Sequence, residues 1–328
     1  MYRSGRLQLC RLAAVTAASL ALGGESSPSI GGDSGPAKYA YVTNQGSETV
    51  TVVDLATFKV VADFKVEGRP AGVALSTDGR QVYISAPESR GFAIIDTSSR
   101  AIQRRVETGG GPLGIAVNPV SGLVYVADWF SHRLSVVDPV TGSVTGEIEV
   151  GQSPSGIAVT SDGRFVLTAD RDSDTVSVVD AAALKRLAVI PVGGHPFGIS
   201  VNADGARAYT ANVTSDDVSV IDVAASAVLA TIPVGRRPYA VALSPARAFV
   251  TNQYGGTLTV IDLGTLKPIS TIPACDHPEG IDYDEPRDAV YVACWFDNVL
   301  IRIDAQTLMI TGKVAVGDGP RSFGQFIK

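Results

Sequence analysis

Seven aspartates recur along the chain at almost constant spacing, each closing an aliphatic stretch: Asp54, Asp96, Asp138, Asp180, Asp222, Asp262 and Asp304. Successive intervals are 42 residues, apart from one of 40 between Asp222 and Asp262. Prolines keep the same beat at Pro70, Pro112, Pro154, Pro196, Pro238, Pro278 and Pro320. Two landmarks in one register define a repeat protein, and a period near forty built of short strands indicates a propeller. The chain ends complement each other. The first repeat enters at Ala37 with what is elsewhere a second strand, Tyr39 to Thr43, and the last stops after a loop and a would-be first strand, Arg321 to Ile327. The expected fold is therefore all-β: a seven-bladed β-propeller with four antiparallel strands per blade, closed by the C-terminal strand joining the N-terminal blade. Blade 1 would comprise residues 37–66 plus 317–328, and blade 7 residues 275–316.

Residues 193–234 illustrate one blade. Gly198 to Val201, Arg207 to Ala211, Asp217 to Ile221 and Val228 to Val234 read as four short strands, with Ala203-Asp204-Gly205 as the first hairpin turn. Pro191, Pro233 and Pro273 fall in the fourth strand, which must then be an edge, because proline cannot donate to a ladder. The first strand consequently lines the central channel. Each repeated aspartate opens a turn whose amides its carboxylate can accept, a structural role.

The first 36 residues stand outside the repeat. Arg3, Arg6 and Arg11 precede an apolar run from Leu12 to Leu22, and Ala21-Leu22-Gly23 supplies small residues for cleavage. This reads as a secretory signal over 1–23 with a flexible leader over 24–36, and hence a periplasmic or extracellular protein. Without those arginines the balance is 24 basic against 33 acidic residues, which argues against a general nucleic-acid binder. No second apolar stretch is long enough to span a membrane.

Tyr41-Val42-Thr43-Asn44, with the variants Phe249-Val250-Thr251-Asn252 and Tyr209-Thr210-Ala211-Asn212, resembles the YVTN repeat of the YncE-like bacterial secreted propellers. The pattern G-x-x-P-x-G extends that resemblance over residues 37–328. It implies a seven-bladed propeller serving as a binding or scaffold protein. Related propellers serve as subunits of quinoprotein amine dehydrogenases.

Residues that break the repeat are the candidates for function. The position before each marker proline holds Arg69, Gly111, Ser153, His195, Arg237, His277 and Gly319, with Arg236 and Arg321 nearby in sequence. Four of these are cationic or titratable in an acidic chain, which suggests a mouth that binds anions. The alternative is solvated loop residues, with the histidines packing locally. Both tryptophans lie in equivalent loops, Trp129-Phe130 and Trp295-Phe296, where large rings mark either a recognition surface or lids on the blade. A metal site would join His195 and His277 to Asp128 or Asp170, although the spacing offers no H-x-x-H support and His132 adds little. Beyond the leader only Cys275 and Cys294 remain, both at the top of blade 7, and in an oxidising compartment they should pair.

The chain has no G-x-S-x-G, phosphate-cradling loop or CxxCH, and no ligands of its own for haem or a derived quinone. The expected function is a non-catalytic propeller without cofactor, binding a protein partner or small anionic ligand on its top face through Arg69, His195, Arg237, His277, Trp129 and Trp295. Two alternatives stand beside it. One is a metal-dependent lyase or lactonase-like enzyme using His277 and Glu279; the other is an accessory subunit of a quinoprotein dehydrogenase or electron-transfer system.

Overall fold

The repeat resolves into seven sheets, antiparallel but for one short parallel pairing, in a computed structural model that describes residues 38–327. The leader, with its signal and cleavage site, lies outside the described residues. Within a blade, strand order follows sequence order, as in Pro196–Val201, Arg207–Asn212, Asp217–Asp222 and Ala227–Pro233. The fourth strands are the outer edges, and their burial pattern is mostly exposed. Pro191, Pro233 and Pro273 are each the last residue of such a strand. Two middle strands per blade carry the buried aliphatics that fill the space between neighbouring blades.

Blades approach each other closely at the glycine after the marker proline's neighbour. A Cβ on Gly198 would sit 2.6 Å from the Tyr239 carbonyl of the next blade, so only glycine fits there. Hydroxyls from the YVTN motif bridge the same gap. Thr43 Oγ1 donates to the Ala71 carbonyl at 2.9 Å, and Thr251 Oγ1 to that of Glu279 at 2.9 Å.

All seven repeated aspartates hold their turns. Asp54 accepts the Thr57 amide at 2.7 Å, Asp96 that of Ser99 at 2.7 Å and Asp222 that of Ala225 at 2.8 Å. Asp138, Asp180, Asp262 and Asp304 do the same. Hydrogen bonds to the ionised form depress a carboxyl pKa. Ser98 and Ser99 bring Asp96 down to about 2, and turn donors also lower Asp54, Asp138, Asp262 and Asp304. A depressed folded pKa contributes stability above the usual value near 3.8 that is lost as pH falls through the folded value. Acid unfolding followed by circular dichroism should therefore begin below about pH 4 and steepen toward 2, and Asp96→Asn should flatten that slope.

The ring closes non-covalently, as the complementary ends require, but not by a regular seventh inner strand. The tail bridges Ala40 through Ile327 and Asn44 through Pro320. A four-residue step on the first strand thus faces a seven-residue step on the tail, so the middle of the tail leaves the ladder. Phe323–Gly324 instead pairs in parallel with Gly72 and Val73 of blade 2. Ser322 and Gly324 accommodate the detour with φ of 46° and 120°. Phe326, fully buried, returns the chain to blade 1, where its carbonyl accepts the Tyr41 amide at 2.9 Å. Asp282 anchors this return by accepting the amides of Phe326 at 3.0 Å and Ile327 at 3.1 Å. Burial pushes the Asp282 carboxyl up to about 7 against the pull of those amides.

Candidate functional site

The residue after each marker proline lies at the beginning of an inner strand, or just before it for Ala71 and in the displaced tail for Arg321. Around the ring these residues are Ala71, Leu113, Ser155, Phe197, Tyr239, Glu279 and Arg321. Phe197 and Tyr239 rings lie 4.5 Å apart, and Phe323 from the displaced tail packs 4.8 Å from Phe197 and 5.7 Å from Tyr239. Together these three rings plug the channel. Below them is a cavity of about 430 Å³, lined mainly by small and aliphatic side chains with Ser200, Asp282 and Tyr283.

The opposite half of the plug is polar. Arg321 Nε donates to Tyr239 Oη at 2.7 Å and lies 3.3 Å from Glu279 Oε2, while Nη1 donates to Gln45 Oε1 at 3.1 Å. Gln253 Nε2 donates to Glu279 Oε1 at 2.6 Å. The guanidinium lies 5.7 Å from the centre of the Tyr239 ring and 5.6 Å from that of Trp295. Burial raises the pKa of Glu279, and Arg321 opposes it; burial likewise raises the Tyr239 phenol. Burial works against the Arg321 charge, but Tyr239 and Glu279 outweigh it and keep the guanidinium protonated.

The sequence-selected residues form the rim around this centre. Arg69, His195, Arg237 and His277 share a left-handed backbone, with φ between 51° and 58°. Arg69 is exposed and 3.6 Å from Glu88, and the Arg237 guanidinium lies 5.5 Å from the Tyr254 ring. His277 packs at a tilt against Tyr254 at 5.3 Å and edge-to-face with Phe296 at 4.5 Å, and its Nδ1 is 2.7 Å from Asp276. His195 is half-buried, and its amide donates to Asp174 at 2.7 Å. Trp129 lies 5.6 Å beneath the Arg171 guanidinium and 6.3 Å from Phe197, so it leans inward as Trp295 does. Their neighbours Phe130 and Phe296 are 71% and 61% exposed, and Tyr254 is 54% exposed. In each loop one ring packs inward and the next faces solvent.

Metal chemistry finds no donor set here. Asp128 accepts the amides of Gly111, Phe130 and Ser131, and Asp170 accepts the hydroxyls of Thr168 and Ser177. Glu279 is taken by Arg321 and Gln253 instead of facing a cation beside His277. Among the described residues no three His, Cys, Asp or Glu side chains converge.

Cys275 and Cys294 form a disulfide. Its logic is visible in blade 6, where the equivalent Gly235 amide donates to Asn252 Oδ1 at 3.1 Å. Blade 7 replaces that hydrogen-bonded clasp with a covalent one, between the loops carrying His277 and Trp295.

The inner ring lies one residue beyond the pre-proline series that stood out in the sequence. The signal was present one residue later, where a small or apolar series gives way to Tyr239, Glu279 and Arg321. The pairing of Arg321 with blades 6 and 7 could not be read, because it depends on the tail's detour.

Among known proteins, a YncE-like β-propeller family model matches residues 31–120, and a seven-bladed lactonase family model matches residues 132–234. No curated protein matches the sequence. A functionally unknown protein from Desulfotomaculum acetoxidans DSM 771 superposes with a TM-score of 0.76 at 14% identity, covering 86% of this chain and 98% of its own. Kuenenia stuttgartiensis hydrazine synthase gives 0.53 at 18% identity, over 72% of this chain and 96% of its own. The dihydro-heme d1 dehydrogenase NirN, in complex with DHE, gives 0.61 at 16% identity, over 87% and 74%. At such identities these likenesses concern the fold alone. Repeat, architecture and family matches agree on a seven-bladed β-propeller, similar to YncE-like propellers in its first third and to lactonase-type propellers in its middle.

Proposed function

We propose that this protein is a non-catalytic recognition module, acting outside the cytoplasm, whose top face binds an anionic small molecule or an anionic group of a protein partner. The observation carrying this reading is the composition of the mouth. Trp295 and Tyr239 flank the Arg321 guanidinium, Trp129 lies under that of Arg171, and the rim adds exposed Phe130, Tyr254 and Phe296. Aromatic and arginine side chains are the residue types that dominate binding hot spots. The arginine-rich leader pattern and the disulfide support an oxidising, extracytoplasmic setting. The lactonase-type match favours an enzyme as the second reading, but His277 is held by Asp276 and Glu279 by Arg321, leaving neither poised over a substrate.

The dye 8-anilinonaphthalene-1-sulfonate, an aromatic anion, tests the mouth directly. We expect saturable binding near one dye per chain with quenching of tryptophan emission, since both tryptophans sit there. The variant Trp129→Ala/Phe130→Ala/Trp295→Ala/Phe296→Ala should lose most of the affinity, and Arg69→Ala/His195→Ala/Arg237→Ala/His277→Ala should weaken it and reduce its salt dependence. Unchanged dye affinity in both folded variants would refute the top-face reading.

A further inference from the structure

We propose that Arg321 is the receptor for a carboxylate carried on a planar, aromatic framework, and that Glu279 is a built-in competitor for the same guanidinium; this deepens the top-face reading and rests on it. Three observations carry the assignment. First, the pair is unequally accessible: the Arg321 side chain is 21% exposed and that of Glu279 only 5%. Arg321 is thus the more accessible member of the pair, and an anion is the ligand that suits it. Second, the pair is poorly made. Glu279 Oε2 is 3.3 Å from Nε, whose own hydrogen bond goes to Tyr239. Arg321 Nη2 has no hydrogen-bond partner among the described residues. A carboxylate arriving from the mouth can take that donor and approach the two-point geometry that guanidinium favours, which Glu279 does not achieve. Third, the guanidinium lies 5.6 Å from the centre of the Trp295 ring and 5.7 Å from that of Tyr239. A flat group attached to the carboxylate therefore has an indole to lie against.

Such a carboxylate can belong to a free aromatic acid or to the C-terminus of a partner polypeptide ending in an aromatic residue. The function of Glu279 follows from its position. It compensates the buried cation when the mouth is empty and sets the threshold that an incoming anion must exceed.

The experiment is calorimetric titration of the full chain with benzoate, with benzamide as the neutral isostere, and with a hexapeptide ending in Phe as free acid and as amide. Glu279→Gln keeps the shape and the contact to Gln253 while removing the competing charge. It should bind the carboxylate ligand about tenfold more tightly than the parent, the equivalent of one modest electrostatic contact. Arg321→Gln should abolish binding, and Arg321→Lys, which keeps the charge but not the fork, should recover only part. Benzamide should not bind. Binding of benzoate alone identifies a free acid as the ligand source, and binding of the peptide acid but not its amide identifies a chain terminus. Equal or weaker binding in Glu279→Gln overturns the proposal, as does failure of the parent and this variant to bind any of the carboxylates. If the dye experiment still shows a rim-dependent site, only the roles of Arg321 and Glu279 fall, and the top-face reading stands.

Discussion

Removing residues 317–328 should leave a chain that no longer purifies as a folded monomer. The loss reaches well beyond one strand. Phe323, Phe326 and Ile327 are all buried, and Phe326 packs in the same cluster as Ala40, Tyr41, Val42 and Val73. Truncation would uncover the strand Tyr39–Asn44 of blade 1 as a new edge, a template for association with other chains. It would also remove Phe323 from the channel plug and Arg321 from Glu279, leaving a carboxylate buried without its cation. A milder version isolates the packing term: Phe326→Ala should cost about 3–5 kcal/mol, in the range for deleting a fully buried phenylalanine. Size-exclusion chromatography and thermal melts report both effects. Adding the peptide 317–328 in trans should restore monomeric, cooperatively melting protein, because closure is non-covalent. A truncated chain that stays monomeric with an unchanged Tm would show that the tail does not hold the ring.

The second large effect concerns blade 7. The Cys275–Cys294 bridge spans 19 residues, and a loop of this size contributes about 3 kcal/mol in the chain-entropy account. Cys275→Ser/Cys294→Ser should therefore lower the Tm by roughly 5–10 °C. The repeat itself supplies a diagnostic rescue. Cys275→Gly/Cys294→Asn rebuilds the pair that clasps blade 6, where Gly235 donates to Asn252 and the Asn252 amide donates to Thr257 at 3.0 Å and Thr259 at 2.9 Å. This variant should regain about 1 kcal/mol over the serine pair, the net worth of a typical protein hydrogen bond. Blade 7 has Val299 and Ile301 where blade 6 has those threonines, so the rescue cannot be complete. If the serine and Gly/Asn variants melt together, the covalent bond is not a substitute for the hydrogen-bonded clasp.

The bridge also bears on the mouth. Cys294 immediately precedes Trp295, and Cys275 lies two residues before His277. Constraining both loops at once holds the indole over Arg321 without spending a polar side chain on the task.

How far the sequence reaches is clearest from particular residues. The spacing of Asp54 and its six counterparts determined the number of blades, because a turn aspartate that accepts its own amides is a local device with its partners three residues away. The edge prolines ordered the strands for a similarly local reason: proline lacks the donor that an inner ladder demands. The cysteine pairing followed from register, since two positions at the same end of one hairpin are neighbours wherever the blade lies. Tertiary structure alone decided which irregular residues meet. Arg321, Glu279 and Tyr239 belong to three different blades, and Phe323 reaches the channel only because the tail bulges away from the first strand. Local hydrogen bonds write themselves into spacing, whereas contacts across the axis of a ring depend on closure, tilt and a bulge that no periodicity encodes.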